Sequence, residues 1–252
     1  MFTSQEYSEK LTHASEHISD SERVKTVGLL EHRKIDHLLH FTDSNNLVSI
    51  LDKGILSRDQ LVQQGISFIA SDSKRLDYLT NAISLSIAYP NRKMLYLKKI
   101  LDQKRVFLVL EVSLNILYEK SSRYICMPGN AARHELKNHA WLFPKLYVGY
   151  QGAIRMFPPR QFRDKKSFPS NLPLDIQAEI LFFDDIPPNR IQKIHCEGLL
   201  QENKPEVAKI LAENYPLIPI CNYCKDRAFL QFADKTKYQE EFKLEKESFD
   251  GK

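Results

Sequence analysis

Several side chains in this sequence can do chemistry if the fold brings them together. Glu179 stands between Ala178 and Ile180, a carboxylate at the head of an apolar run. It is either an outward charge at a strand start, the ordinary place for a glutamate, or a fixed anion that stabilises developing positive charge and takes up a proton. Arg75, beside Lys74, offers a planar, permanently charged fork suited to a pyrophosphate, and is otherwise a solvated loop residue. His40 and Thr42 can hydrogen-bond a hydroxyl or an amide. A histidine among Leu38, Leu39 and Phe41 is more often a satisfied core residue. Between Gly129 and Pro173, Trp141, Phe143, Arg155, Arg160, Phe162 and Arg163 interleave rings and cations. That mixture stacks bases and meets phosphates in single-stranded nucleic acid, or is a solvated face with a few buried anchors.

Two shorter motifs carry less. Pro128-Gly129-Asn130-Ala131-Ala132 reads as a tight turn entering a helix, whose N-terminus can receive a phosphate, with a structural corner as the plainer reading. Cys221-x-x-Cys224 has the spacing of half a zinc site, but Cys126 and Cys196 have no paired partner, so no metal is expected.

The elements that must position these residues follow from pattern. Ser4 to Asp36 is polar, with Leu11, Ile18, Val24, Leu29 and Leu30 at helical separations, and predicts one or two surface helices. Leu38 to Thr42 is of strand type and stops at Asp43-Ser44-Asn45-Asn46, whose short polar side chains suit a helix N-cap. The helix predicted over 46–53 buries Leu47, Ile50 and Leu51 and ends at Gly54, after which 55–57 is extended. Further strands are predicted over 82–88, 106–112, 123–127 and 179–183. A helix is expected past Leu200, and a charged, fraying tail over 235–252. The chain divides as a helical N-terminal extension (1–36), one folded domain (37–234) and that tail.

With 42% hydrophobic and 27% charged residues, the chain belongs with folded globular proteins, which excludes a disordered or fibrous reading. No run approaches the ~20 apolar residues of a membrane span, and residues 1–21 are too polar for a signal-peptide core. A cytoplasmic, membrane-free, monomeric protein with four reduced cysteines is therefore expected. A net charge of +4 permits a polyanionic partner without requiring one.

Taken in order, Leu39-His40-Phe41-Thr42 with Ser49 to Ile55, then Asp72 to Asp77, Ala88 to Tyr96, and Asp175 to Leu181 resemble the DarT family of NAD-dependent nucleic-acid ADP-ribosyltransferases over about residues 37–195. Each motif is short; their order and spacing carry the resemblance. It implies a mixed α/β (α+β) fold, a split β-sandwich core with flanking helices, in which two small sheets face each other across an NAD cleft. It further implies a catalytic Glu179 and Arg75, and a cofactor-binding set of His40, Phe41, Thr42, Asn46, Gly54, Tyr89, Asn91 and Met94. Trp141, Arg155, Arg160 and Arg163 would meet the nucleic acid. NAD is then the co-substrate, single-stranded DNA the target, and a macrodomain antitoxin the partner of a toxin or phage-defence protein. Ser84-Leu85-Ser86-Ile87 departs from the Tyr-Phe-rich stretch of the family and leans the choice of base to guanine over thymine. Two alternatives stay open: transfer to RNA or protein, which Gln177 two residues before Glu179 would also suit, and a non-catalytic nucleic-acid-binding protein on the same fold.

Overall fold

The computed structural model describes residues 3–70, 75, 77–87, 90–91, 105–127, 129–132, 177–196, 202 and 204–222. Tyr89, Met94, Trp141, Phe143, Arg155, Arg160, Phe162, Arg163, Cys224 and the charged tail lie outside them.

Two helices open the chain, α1 (Ser4–Ser15) and α2 (Asp20–His32). Each starts in a capping box, Thr3 with Glu6 and Ser19 with Glu22, in which the cap hydroxyl and the glutamate satisfy backbone amides reciprocally. These helices are more than surface cover. Tyr7 and Leu11 of α1 and Val27 and Leu30 of α2 are buried, whereas Val24, one of the expected apolar positions, is 66% exposed.

β1 (His37–Asp43) runs into a 3-10 turn (Ser44–Asn46), where Asp43 accepts a hydrogen bond from the Asn45 amide, and then into α3 (Leu47–Lys53). Leu47, Ile50 and Leu51 are buried as the periodicity requires. Gly54 stops the helix at φ 95°, and a Cβ there would meet the Ile186 carbonyl oxygen at 2.3 Å. Only glycine combines that backbone conformation with so close an approach. The extended stretch after it is a single bridge, Ile55 to Ile186, before Ser57 caps an unexpected short helix, α4 (Arg58–Gln63).

The predicted strands appear as β2 (Ile83–Ile87), β3 (Phe107–Ser113), β4 (Tyr124–Met127) and β5 (Glu179–Phe182). β6 (Ile191–Cys196) and β7 (Ile220–Asn222), with α5 (Pro205–Asn214) between them, complete the described elements. Neither β6 nor β7 was expected: the polar Lys193 and His195 interrupt the apolar pattern of the first, and the second spans three residues.

All seven strands join one sheet in the order β4-β5-β2-β1-β3-β6-β7, antiparallel except for β6–β7. The mixed α/β core with flanking helices is as expected, and its two halves are joined in one sheet that is nearly divided in the middle. β1 pairs with β3 along its whole length but with β2 only through Leu38–Ile87 and Leu39–Ser86. Beyond that seam the strands part, leaving β4-β5-β2 and β1-β3-β6-β7 as two half-sheets. Leu38, Leu85, Leu110, Ile180 and Ile194 on one face build the main core with α2, α3 and α5. Leu181, Ile125 and Met127 on the other face form a second core with Tyr7 and Leu11 of α1.

Candidate functional site

The half-sheets part where chemistry-bearing residues converge. β2 alternates Ile83, Leu85 and Ile87, all buried, with Ser84 and Ser86, so period two places both serines on the face opposite the main core. Glu179 pairs with Ser86 and Met127 in register and shares that face. It is 8% exposed, which excludes the outward-charge reading. Its Oε2 accepts the Ser84 hydroxyl, and its Oε1 accepts the Ala131 amide at 2.7 Å. A buried carboxylate needs such donors. Burial nonetheless pushes its pKa above the ordinary glutamate value, and the negative charge of Asp77 adds to this. The hydrogen bonds from Ser84 and Ala131 and the charge of Arg75 oppose it.

Arg75 sits in the left-handed backbone region at φ 40°, a conformation that costs a non-glycine residue energy and persists only where surroundings hold it. The reason is visible in its side chain. The guanidinium donates to the carbonyls of Leu79 and Ala82, the latter at 2.8 Å, and its Nε lies 3.2 Å from Asp77 Oδ1. It is thus neither a solvated loop residue nor a wholly available clamp: two of its nitrogens, Nε and Nη2, are engaged by Asp77, Leu79 and Ala82.

His40 closes the site from β1. Where β1 and β2 stop pairing, its Nδ1 lies 3.1 Å from the Ser84 carbonyl oxygen. A carbonyl only accepts, so Nδ1 carries the proton and Nε2 is left as an acceptor. Burial lowers its pKa and Arg75 lowers it further, against the opposing hydrogen bond to the Ser84 carbonyl, so the ring is neutral at pH 7. Ser84 therefore serves both sides, its hydroxyl on Glu179 and its carbonyl on His40.

The remaining expected residues divide. Asn91 is brought in, its amide donating to Ser86 Oγ at 3.2 Å. Phe41 is half-buried and stacks edge-on against Phe107, which in turn lies under the Arg105 guanidinium. Thr42 and Asn46 do structural work. Asn46 donates to Thr42 Oγ1 and clamps Ile69 through two bonds, Nδ2 to the Ile69 carbonyl at 2.9 Å and the Ile69 amide to Oδ1 at 2.8 Å. Arg105, held by buried Asp43 at 2.7 Å, adds a bond to the Ala70 carbonyl. These clamps anchor the chain just before Arg75. Gly54 lies apart, beside Ile55 and Ile186 of the main core, where packing explains it.

Asp77, Ser84, Ser86 and the Ala131 amide had no part in the expected site. The signal for the serines was the small polar alternation in an otherwise apolar strand. The Gly129 to Ala132 corner presents its amide to Glu179 rather than to a phosphate. Among the described residues, the one group able to hold a metal by composition is the exposed trio His13, Glu16 and His17, and no helix is long and apolar enough to cross a membrane.

Among curated protein sequences none matches this chain. Among solved structures, it is similar to Thermosipho africanus DarTG in complex with ADP-ribose, at 21% identity, with 77% of this chain and 51% of that one covered and a TM-score of 0.49. It thus spans about half of the Thermosipho chain. Thermus sp. 2.9 DarT in complex with ADP-ribosylated ssDNA is 17% identical over 75% of this chain and 94% of that one, with a TM-score of 0.46. The same Thermus protein in complex with NAD+ gives 17% identity, 75% and 96% coverage and a TM-score of 0.43. The family described as "ssDNA thymidine ADP-ribosyltransferase, DarT" matches residues 39–221. That span is well over half of the chain and contains Glu179, Arg75 and His40, so the protein belongs to the DarT family, whose members are NAD-dependent ADP-ribosyltransferases.

Proposed function

We propose that this chain transfers ADP-ribose from NAD to a base of single-stranded DNA, with Glu179 as its catalytic carboxylate. The observation that carries the reading is Glu179 itself: a buried carboxylate at the parting of two half-sheets, anchored through both oxygens by Ser84 and Ala131. An ionised carboxylate has about four acceptor positions, so two fixed bonds leave capacity facing the cleft. The donor and acceptor set suits the nicotinamide ribose of NAD.

In the proposed reaction the bond between ribose C1′ and the nicotinamide nitrogen breaks, and its electron pair leaves with neutral nicotinamide. Ionised Glu179 stabilises the oxocarbenium-like charge left on C1′. A base nitrogen then bonds to C1′ and its proton passes to Glu179, directly or through one water. A pKa raised by burial makes Glu179 a better proton acceptor than a surface carboxylate, provided the pH keeps it ionised. Neutral His40 accepts a ribose hydroxyl at Nε2. Arg75, whose Nε and Nη2 are engaged with the 75–82 turn, offers Nη1 to the pyrophosphate.

The lean to guanine rested on the departure at Ser84 to Ile87, whose serines bond Glu179 and Asn91. The family description names thymidine, and that base is the one proposed here. Tyr89, Met94 and the basic-aromatic segment with Trp141, Arg155, Arg160 and Arg163 remain the proposed nicotinamide-side and DNA contacts. A macrodomain antitoxin and a toxin role remain proposals from the family resemblance. Incubation with NAD and a mixed-sequence single-stranded DNA oligonucleotide, with RNA and protein in parallel, tests the substrate. Intact mass should rise by one ADP-ribose on DNA, and fragmentation should place it on thymine. A gain on RNA or protein alone would overturn the DNA reading and keep the chemistry.

A further inference from the structure

The family match begins at residue 39, yet the N-terminal helix α1 reaches the cradle of the catalytic carboxylate. Tyr7 is 1% exposed and its hydroxyl donates to the Ala131 carbonyl at 3.3 Å. Ala131 in turn donates its amide to Glu179. One turn further along α1, Thr12 accepts a hydrogen bond from Asn81 at 3.0 Å, and Leu11 packs with Leu79 and Ala82. Those last two residues supply the carbonyls that hold Arg75. A single helix therefore bears on both segments that shape the site, the Ala131 corner that holds Glu179 and the turn that holds Arg75.

We propose that α1 is a strut of the active site and that Tyr7 is a positioning residue for Glu179, acting through Ala131. This rests on the reading of Glu179 as the catalytic carboxylate. The tyrosine ring contributes to the second core, where any large apolar side chain would serve. The hydroxyl is what fixes the corner: it ties down the carbonyl of the residue whose amide holds Oε1. Loosening the corner weakens that amide bond, one of the effects that favour ionised Glu179, while Arg75, Asp77 and Ser84, the charged and polar groups facing the carboxyl from the other segments, stay in place.

The discriminating variant is Tyr7→Phe, which keeps the ring and removes only the hydroxyl, compared in the full chain with wild type and Glu179→Gln. With NAD and a single-stranded DNA oligonucleotide, kcat should fall about five- to tenfold, the scale of one positioning hydrogen bond. KM for NAD should stay within about twofold, since no ground-state contact is lost. The acidic limb of the pH profile should move to higher pH, and the Ala131 amide resonance, which follows Glu179 through their hydrogen bond, should titrate at correspondingly higher pH. A Tyr7→Phe protein with the wild-type limb and titration, or a loss of rate that only tracks the folded fraction, overturns the proposal. If Tyr7→Phe behaves as wild type while Glu179→Gln is inactive, the strut fails and the catalytic reading stands. If Glu179→Gln stays active, the catalytic reading fails and takes the strut with it.

Discussion

Ser84 lies diagonally across the β2–β5 ladder from Glu179, on the same face of the sheet, and donates its hydroxyl to the carboxylate. The same residue presents its carbonyl to His40 across the seam where β1 and β2 part. One residue, by its hydroxyl and its backbone carbonyl, thus ties together the two half-sheets that the NAD cleft is proposed to separate. A side chain without the hydroxyl would lose the bond to Glu179 and keep the backbone contact to His40.

Ser84→Ala removes one of two donors to Glu179 and leaves the carbonyl to His40 intact. That hydrogen bond lowers the carboxyl pKa, so its loss raises the pKa further. The acidic limb of the kcat profile should shift to higher pH, and kcat at the optimum should fall about tenfold. A pH profile superimposable on wild type would show that the bond does not operate in solution.

His40→Gln tests the neutral histidine. The folded-state pKa is depressed below the usual 6.5, so folding opposes protonation. Stability from this group is complete above pH 6.5 and is lost as pH falls through the lower folded value. Wild type should therefore lose melting temperature relative to His40→Gln between about pH 7 and 5, by roughly 2–4 °C for each kcal/mol involved. Parallel melting curves across that range would contradict a depressed pKa. KM for NAD should rise in the variant, whose amide does not reproduce the imidazole acceptor.

How much was legible depends on where the information sits. The strand–helix–Gly54 unit was readable because its determinants are local: an apolar stripe, a cap and a stop. β2 to β5 were readable as apolar runs between breakers. The site was half readable. Glu179 and His40 stood out as polar residues within apolar runs, but no local pattern says that Ser84 bridges them or that Ala131 supplies an amide from 48 residues away. Tyr7 went unread for the same reason, since its partner is 124 residues distant. The bonds of Asn46 to Ile69 and the close approach of Gly54 to Ile186 were equally unread, since both partners are distant in sequence. The join between the two halves of the sheet was not legible, because a seam of two residue pairs is a tertiary fact.

Gly54→Ala should destabilise the fold without altering the site directly. Its positive φ and the 2.3 Å approach to Ile186 leave no room for a methyl group. A loss of more than about 1 kcal/mol in denaturant unfolding, with unchanged KM for NAD in the folded protein, is expected. Wild-type stability would show that α3 ends differently in solution.

The central claim, that Glu179 is a buried carboxylate working ionised, is tested most directly by Glu179→Gln, measured both as melting temperature against pH and as ADP-ribose transfer. A carboxyl whose folded pKa is raised contributes stability below its unfolded value of about 4.5 that is lost as pH rises through the folded value. Glutamine escapes that loss, so the variant should match wild type near pH 4.5, exceed it as the pH rises through the folded value and keep a constant margin above it, while transfer falls at least about a hundredfold. A variant that melts below wild type at every pH and still transfers ADP-ribose at a comparable rate would contradict the account.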